Sequence, residues 1–593
     1  MNDKANYVHA ASLAEVEAAG CTVVQLDGYT VALFAHDGQV HAVDNRCPHM
    51  GFPLDRGTVR EGILTCHWHH ARFDLESGGT FDQWADDVRV FPVDVRDGQV
   101  WVELSRRGDP RQHQRERLLV GLERNLSLVM AKSVLVLREG QGDPAEPFRA
   151  GLLFGTQYRR AGWRMGLTMH ACLMNLLPIL DEADRPRALY HGLSAVAQDS
   201  FGQPPRFPVR PLPTETADIN TLKGWFRQFV EVRDAEGAER CIISAVRAGA
   251  NDKQMADMLF AAATDHRYID IGHPVDFTNK AFEALDVAGW EHAEQVLTSL
   301  VRGYAVADRM EESNAWRHPV DLVRILEAAF EQLPDALDKG RAVRAEGEAW
   351  SGAEEVLPLL HGDDPQAIAD GLLSALGVGA SEVDLAVTVS HAAALRIVRF
   401  HTSNEFSDWD TALHTFTFAN AVEGGLRRAP SPELVRGVFD AAMSVYLDRF
   451  LNIPAARLPE PVDDGRGEDE LLDALDALLD RQQQVSQAGQ IVAQYLHSGG
   501  RPERLLARLG RLLLREDRDF HTIQTVEGAI SQYRRRASEA RLRGKTSLQG
   551  AAAHMLVAAA RYLAAHSPTV RAQGQTYEIA QRLHRGEHLF EES

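Results

Sequence analysis

Two short runs decide how this chain begins to fold: Cys47-Pro-His-Met-Gly-Phe-Pro-Leu-Asp-Arg-Gly57 and Cys66-His-Trp-His-His-Ala-Arg-Phe-Asp-Leu-Glu-Ser-Gly-Gly79. Each contributes one cysteine and one histidine, spaced Cys-x-His in the first and Cys-x-x-His in the second, with sixteen residues between His49 and Cys66. Two thiolates and two neutral imidazoles can complete a [2Fe-2S] centre, sulfur on one iron and nitrogen on the other. That asymmetry lowers the negative charge of the site and raises its potential above that of an all-cysteine cluster. The same four residues also suit a tetrahedral zinc ion. Gly51, Gly57, Gly78 and Gly79 give the two loops the tight backbone that either centre needs and let amide N–H groups approach the sulfurs.

Outward from these loops, the chain between residues 21 and 104 is cut into short β-branched and aromatic runs at 21–26, 31–35, 40–44, 62–65, 72–74, 88–95 and 99–104. Asp27-Gly28, Asp37-Gly38 and Asp97-Gly98 lie between them, the mark of hairpins. Residues 12–19 predict one short helix ahead of the sheet, and the charged stretch 106–117 reads as a linker. After residue 115 the apolar period becomes helical, as in 115–137, 161–180 and 222–232. Proline-rich breaks occur at 203–213 and near Pro358, and 461–470 reads as a second linker. The expected fold is a small all-β module over residues 1–105 followed by a large, mostly α-helical domain over 115–460. A further helical segment, 471–593, is expected to pack on that second domain.

The loop pair resembles that of the Rieske family, over roughly residues 5–105. The resemblance implies that Cys47 and Cys66 ligate one iron and His49 and His69 the other, and that the module carries electrons. His67 and His70 are left outside the ligand set. The likeness is closest to the oxygenase and soluble-ferredoxin type, because the region after His49 has no cysteine to form the disulfide of the respiratory type. A hydroxyl donor to a cluster sulfur is also missing where Ala71 follows His70, which implies a lower potential.

Composition narrows the class without naming an activity. The 593 residues are 45% hydrophobic and 25% charged, as in ordinary globular chains with several domains. A net charge of −21, with no basic run longer than Arg534–Arg536, disfavours nucleic acid. The most apolar later stretch, 118–137, is interrupted by Glu123, Arg124 and Lys132, so no membrane span is expected. Five cysteines are too few for a disulfide scaffold, and together with the absence of an export signal they suit a reducing, cytoplasmic location.

In the helical region, six histidines stand in apolar or motif-like settings: His170, His191, His266, His273, His401 and His414. His170 shares a helix face with Leu167, Met174 and Leu177, and a histidine buried there needs a polar partner or a metal. Gly272-His273-Pro274 reads as a break that starts a helix, with Lys280 two turns further along the same face. His414 leads an aromatic, threonine-bearing face. Asp265, Asp270, Asp276, Glu405 and Asp408 supply carboxylates close by in sequence. The familiar two-histidine, one-carboxylate pattern of a helix-grip iron domain is not matched, since Asp265 to His273 has the residues at the wrong spacing.

Residues 150–450 resemble, diffusely, the questin oxidase-like family of helical non-heme iron oxygenases that act on polycyclic aromatic quinones. The resemblance implies His170, His191, His273 and His414 as ligands of one iron, with Lys280 in the place of a carboxylated lysine. Four neutral imidazoles suit Fe(II), Zn(II) or Cu(II), and a redox donor on the same chain favours a mononuclear Fe(II). The expectation is therefore a Rieske-dependent oxidoreductase that activates dioxygen on a small aromatic or polycyclic substrate. No Gly-rich dinucleotide fingerprint follows a strand, so electrons would come from an external ferredoxin or flavin reductase. Two rivals share the N-terminal reading: an electron-transfer or redox-sensing protein without a second metal, and a zinc hydrolase with a regulatory cluster.

Overall fold

The computed structural model describes residues 7–105, 110–213, 218–347, 350–462, 464–543, 546–587 and 589. The chain divides into two units, one made of residues 1–147 together with 572–593, the other of residues 148–571.

In the first unit the expected β module is present, in the order β1 (Tyr7–Ser12), α1 (Leu13–Ala19), β2 (Cys21–Leu26), β3 (Tyr29–His36), β4 (Gln39–Asp44), β5 (Thr58–Arg60), β6 (Ile63–Thr65), β7 (Arg72–Asp74), β8 (Val90–Phe91), β9 (Val93–Arg96) and β10 (Gln99–Glu103). Three antiparallel sheets run β1-β10-β9, β2-β3-β4-β8 and β5-β6-β7. The hairpin turns form at the expected Asp-Gly pairs: both residues have positive φ at Asp27-Gly28 (43° and 87°), Asp37-Gly38 (49° and 75°) and Asp97-Gly98 (49° and 71°). That is the type I′ requirement, which matches the twist of the flanking strands. Ser12 caps α1 by accepting from the Glu15 amide, and Gly20 ends it.

Two apolar cores result. One, around Val16, Val31, Leu33, Val100 and Val102, ties β2, β3 and β10 together. The other, around Phe34, Leu54, Leu64, Phe73 and Val88, lies under the two motif loops and includes Cys47 and Cys66.

The stretch expected to be a linker is instead the helix α2 (Pro110–Arg124), followed by α3 (Ser127–Arg138); residues 106–109 lie outside those described. Two of its arginines are bound rather than solvated. Arg117 reaches the Asp86 carboxylate at 2.6 Å and the carbonyls of Gln83 and Ala85, and Arg111 donates to the Leu137 carbonyl at 2.9 Å. The end of the chain also differs from expectation, because the helix Ala572–His584 belongs to this first unit and packs on α3. Tyr577 and Ala580 are buried there, and Arg46 donates to the carbonyls of Leu583 and Glu587 at 2.8 and 2.7 Å.

Every regular element described in the second unit is helical. Those that matter below are α4 (Ala145–Gln157), α5 (Met165–Leu176), α6 (Arg185–Ser200), α7 (His273–Ala288), α8 (Phe406–Arg428) and α9 (Phe520–Arg543). Helices α5 and α8 each pack against both α7 and α9. Residues 203–213 are irregular as expected, whereas Pro358 lies inside the helix Ala353–Leu360 instead of breaking it. The stretch 461–470 is irregular up to the helix Glu468–Leu479, with Asp463 outside the described residues, and the helices from there to residue 571 stay in this unit. Among the described residues no helix is long and apolar enough to cross a membrane.

The clamp between Arg46 and the last helix is testable. A hydrogen bond from a charged donor contributes about 1.5–3 kcal/mol, and about 1.4 kcal/mol is a factor of ten in an equilibrium. Arg46→Ala should therefore speed amide hydrogen exchange across residues 572–587 at least roughly tenfold while the exchange of β3 stays unchanged. Unaltered protection of the last helix would show that it does not depend on Arg46.

Candidate functional site

The first loop runs from β4 to β5 and the other from β6 to β7. Cys47 lies 3% exposed and Cys66 1%, both against the lower core, while His69 is exposed and His49 half-buried. Backbone bonds hold the turns: Gly51 N–H donates to Cys47 O, Cys47 N–H to Phe52 O and Cys66 N–H to Ala71 O. Gly57 and Gly78 are required sterically, since a Cβ would come within 2.5 Å of the Thr65 carbonyl oxygen in the first and 2.1 Å of the Val88 carbonyl oxygen in the second.

The motif side chains meet in pairs across the two loops, histidine with histidine and cysteine with cysteine. The His49 and His69 rings lie 4.8 Å apart at 89°, and Trp84 covers His49 edge-on at 4.7 Å. Both cysteines are free of disulfides, and their thiols hydrogen-bond each other. The Cys47 contact pulls the Cys66 thiol down to about 6, and the same contact holds Cys47 up, so the pair shares a proton that a metal would displace. Burial, reinforced by Lys132 and His69, pushes His49 down to about 4, which leaves a neutral ring, the form that binds iron. Its Nδ1 is buried without a hydrogen-bond partner, an atom left free for a ligand bond. These residues fit a [2Fe-2S] cluster. His67 faces Thr58 at 3.3 Å on the surface, and His70 is exposed with φ 62°.

In the helical unit another convergence occurs. His273 opens α7, His414 lies on α8 and His521 opens α9, and one ring nitrogen from each falls within 4.8 Å of the other two. The His273–His414 and His414–His521 ring centroids are 4.9 and 4.8 Å apart, at 80° and 78°. An ion held tetrahedrally at about 2.1 Å from each of three imidazole nitrogens keeps them about 3.4 Å apart, so the triangle would draw in around it. His414 Nδ1–H donates to the Asp410 carbonyl at 2.6 Å, which turns Nε2 inward, and that nitrogen is buried without a partner. The Asp410 carboxylate lies 3.7 Å from His521 Nδ1 and accepts from the Tyr562 hydroxyl at 2.9 Å. A carboxylate behind a ligating imidazole fixes its tautomer and raises its basicity. Burial, and then the neighbouring rings, push His273 to about 3 and His414 to about 4, so both are neutral near pH 7.

Of the residues expected from sequence, His273 and His414 are therefore brought together, and His170, His191 and Lys280 are not among the converging group. The reason lies in helical phase. On α5, Cys172 and Asn175 face α7 and α9, where Asn175 donates to Glu283 and Glu527 at 2.7 and 3.1 Å. His170, two positions before Cys172 and so about 200° around the helix, faces α4 and α6 instead. Its Nε2–H donates to the Phe148 carbonyl at 2.9 Å, its ring stacks on Phe148 at 4.5 Å, and Gly151 and Gly192 leave it room. His191 is buried beside Tyr190, and burial pushes it to about 3.

Lys280 is buried, and it bonds Glu527 at 2.6 Å and Glu283 at 2.9 Å. Burial opposes its charge, yet the two carboxylates outweigh burial and hold its pKa well above the ordinary lysine value. An ammonium locked between carboxylates has no free pair for a metal or for carbon dioxide. The other histidines and acids are likewise engaged. His266 bonds Glu311 at 2.8 Å, His401 bonds Ser403 at 2.8 Å, Asp265 pairs with Arg227 at 2.6 Å, and Asp408 caps α8 through the Glu405 amide. Asp270 is fixed through its backbone, whose N–H donates to the Asp308 carbonyl at 2.6 Å, and burial, then Asp308, holds its carboxyl above the ordinary value. Asp276 accepts from Gln524, and burial raises it to about 7.

The sequence reading missed His521 and Asp410. A signal existed for the first: His521 and Gln524 on α9 stand three residues apart, as His273 and Asp276 do on α7, each pair followed about one turn later by a charged residue, Glu527 or Lys280.

The family model of the Rieske [2Fe-2S] domain matches residues 6–92. Apoptosis-inducing factor 3 of Homo sapiens is 27% identical over 159 residues, 25% of this chain and 25% of that protein. The 3-chlorobenzoate-3,4-dioxygenase oxygenase subunit of Comamonas testosteroni is 35% identical over 112 residues, 17% of this chain and 26% of its own length. The 3-phenylpropionate/cinnamic acid dioxygenase ferredoxin subunit of Photorhabdus laumondii subsp. laumondii is 35% identical over 96 residues, 14% of this chain but 91% of its own. The chain thus spans about a quarter of the length of the first two relatives and nearly all of the third.

The placement of His170 predicts a pH signature. Burial pushes its pKa to about 4, below the ordinary value of 6.5 that the unfolded chain keeps, so the stability held by the neutral ring is complete above pH 6.5 and drains away as the pH falls towards 4. His170→Gln keeps a donor for the Phe148 carbonyl and cannot titrate there. Denaturant titrations of both proteins between pH 7 and pH 4 should show the wild type losing stability relative to the variant on the acid side. Parallel curves would mean that His170 is not buried as a neutral ring.

Proposed function

Residues 6–92 make this chain a member of the Rieske [2Fe-2S] family, and from that membership we propose an oxidoreductase in which electrons held at an N-terminal cluster serve a metal centre in the helical unit. The reading rests on one observation above all, the three imidazoles of His273, His414 and His521 gathered within 4.8 Å of one another on a chain that also carries a redox module. Cys47 and Cys66 would hold one iron of the cluster, and His49 and His69 the other. When bound, the cluster supplies one-electron storage.

At the centre in the helical unit, His273, His414 and His521 would fill three positions of an ion and leave the others open. Iron is the metal proposed, because imidazole suits Fe(II) and a redox neighbour would serve no purpose for a redox-silent ion. Dioxygen and a small organic substrate are the proposed reactants. The resemblance of residues 150–450 to the questin oxidase-like family would make that substrate a polycyclic aromatic, and an external ferredoxin or flavin reductase would supply electrons. Asp410 would steady His414 through its carbonyl and His521 through its carboxylate.

A simpler reading has an observation of its own: a relative that this chain covers almost entirely is a ferredoxin subunit, which favours a protein that acts only as a carrier. Metal content separates the two. Full-length protein made anaerobically should hold two acid-labile sulfides and about three irons, and His521→Ala should lose one iron with the cluster spectrum unchanged. Two irons and nothing else in the wild type would leave the carrier, and two irons with one zinc would favour a hydrolase. NADH alone should not reduce the cluster, whereas a ferredoxin-type reductase should.

A further inference from the structure

The ferredoxin subunit matched over 91% of its length aligns across only 96 residues. In the same unit this chain adds α2, α3 and the helix Ala572–His584 to the β module, and the additions grip one cluster loop from two sides. Arg46, just ahead of Cys47, is tied to the carbonyls of Leu583 and Glu587. From α3, Lys132 Nζ donates to the Pro48 carbonyl and, at 3.0 Å, to the His49 carbonyl. The ammonium lies 3.7 Å from the Asp86 carboxylate, with its side chain only 13% exposed. Asp86 is held more closely by Arg117 of α2, at 2.6 Å. Two cations therefore face one carboxylate beside the loop, and a net positive charge remains where water screens poorly.

We propose that Lys132 sets the reduction potential of the cluster, by holding a fixed positive charge against the loop that carries Cys47 and His49. The sign follows from charge alone. One electron from an external one-electron donor makes the cluster more negative by one unit, so a nearby cation stabilises the reduced form over the oxidised form and raises the potential. Burial opposes the Lys132 charge and lowers its pKa, while the Asp86 carboxylate beside it supports that charge. His69, on the other loop, is exposed to solvent. Lys132 acts from α3, a helix that lies beyond residues 6–92, the part matched by the family model.

The inference depends on the cluster and not on any metal in the helical unit. It is tested in the full-length protein by equilibrium redox titration, read by the visible circular dichroism of the cluster. Lys132→Met keeps the length of the side chain and removes the charge, while Lys132→Arg keeps the charge. At the wild-type midpoint, the methionine variant with unchanged iron and sulfide content should show a reduced-to-oxidised ratio near 1:10, a shift of about 59 mV for one electron. The arginine variant should stay within about twofold of wild type. A methionine variant that titrates with the wild type would overturn the proposal, as would equal shifts in both variants. Should the methionine variant lose its cluster, Asp86→Asn leaves Lys132 in place and removes the opposing charge. Its ratio should move several-fold towards the reduced form, and no movement, or movement the other way, would contradict the assignment.

Discussion

An imidazole nitrogen taken out of water without a partner costs roughly 1–3 kcal/mol, and the helical unit brings three imidazoles together at the junction of α7, α8 and α9. Burial and mutual repulsion hold His273 and His414 neutral, so the rings cannot recover that cost by taking up protons near pH 7. His414 Nε2, buried without a partner, is the atom that an ion with an empty orbital would satisfy. The helices around it are arranged accordingly: His414 is turned by the Asp410 carbonyl, and His521 faces the Asp410 carboxylate, itself held by Tyr562. One turn further along α7 and α9, Asp276 meets Gln524, and beyond them Lys280 joins Glu283 and Glu527. That buried polar column fixes the register of the two helices on which two of the three histidines sit.

The N-terminal unit solves a different problem with the same economy. Its sulfurs belong to an apolar core and its imidazoles to the rim, so a cluster seated there would be insulated below and reachable above. Loop shape depends on backbone bonds and on two glycines that tolerate no Cβ. The helices added after β10 bear on one loop, where they place charge as well as bulk.

Much of this was legible from the residues. Asp-Gly turns and period-two runs located the hairpins because local backbone chemistry decides them, and Cys47, His49, Cys66 and His69 were readable because two loops carry the whole ligand set. The strand β1 and the helix α2 were not. Strand β1 pairs with β10, some ninety residues away, and the charges of α2 suggest a solvated linker until Arg117 is placed against Asp86. In the helical unit, burial was legible and convergence was not. His170 is buried on an apolar face as expected, yet which face meets which depends on packing among helices separated by hundreds of residues. Hence His170 ends on a carbonyl, Lys280 between carboxylates, and His521, outside the set considered, completes the triangle.

The central claim is that His273, His414 and His521 share one metal ion. Anomalous diffraction from crystals of anaerobically prepared full-length protein, recorded on either side of the iron absorption edge, tests it most directly. The account predicts a cluster peak between the two N-terminal loops and a separate single peak about 2 Å from one nitrogen of each of the three histidines. A cluster peak alone, with the three rings bonded only to water or protein, would contradict it.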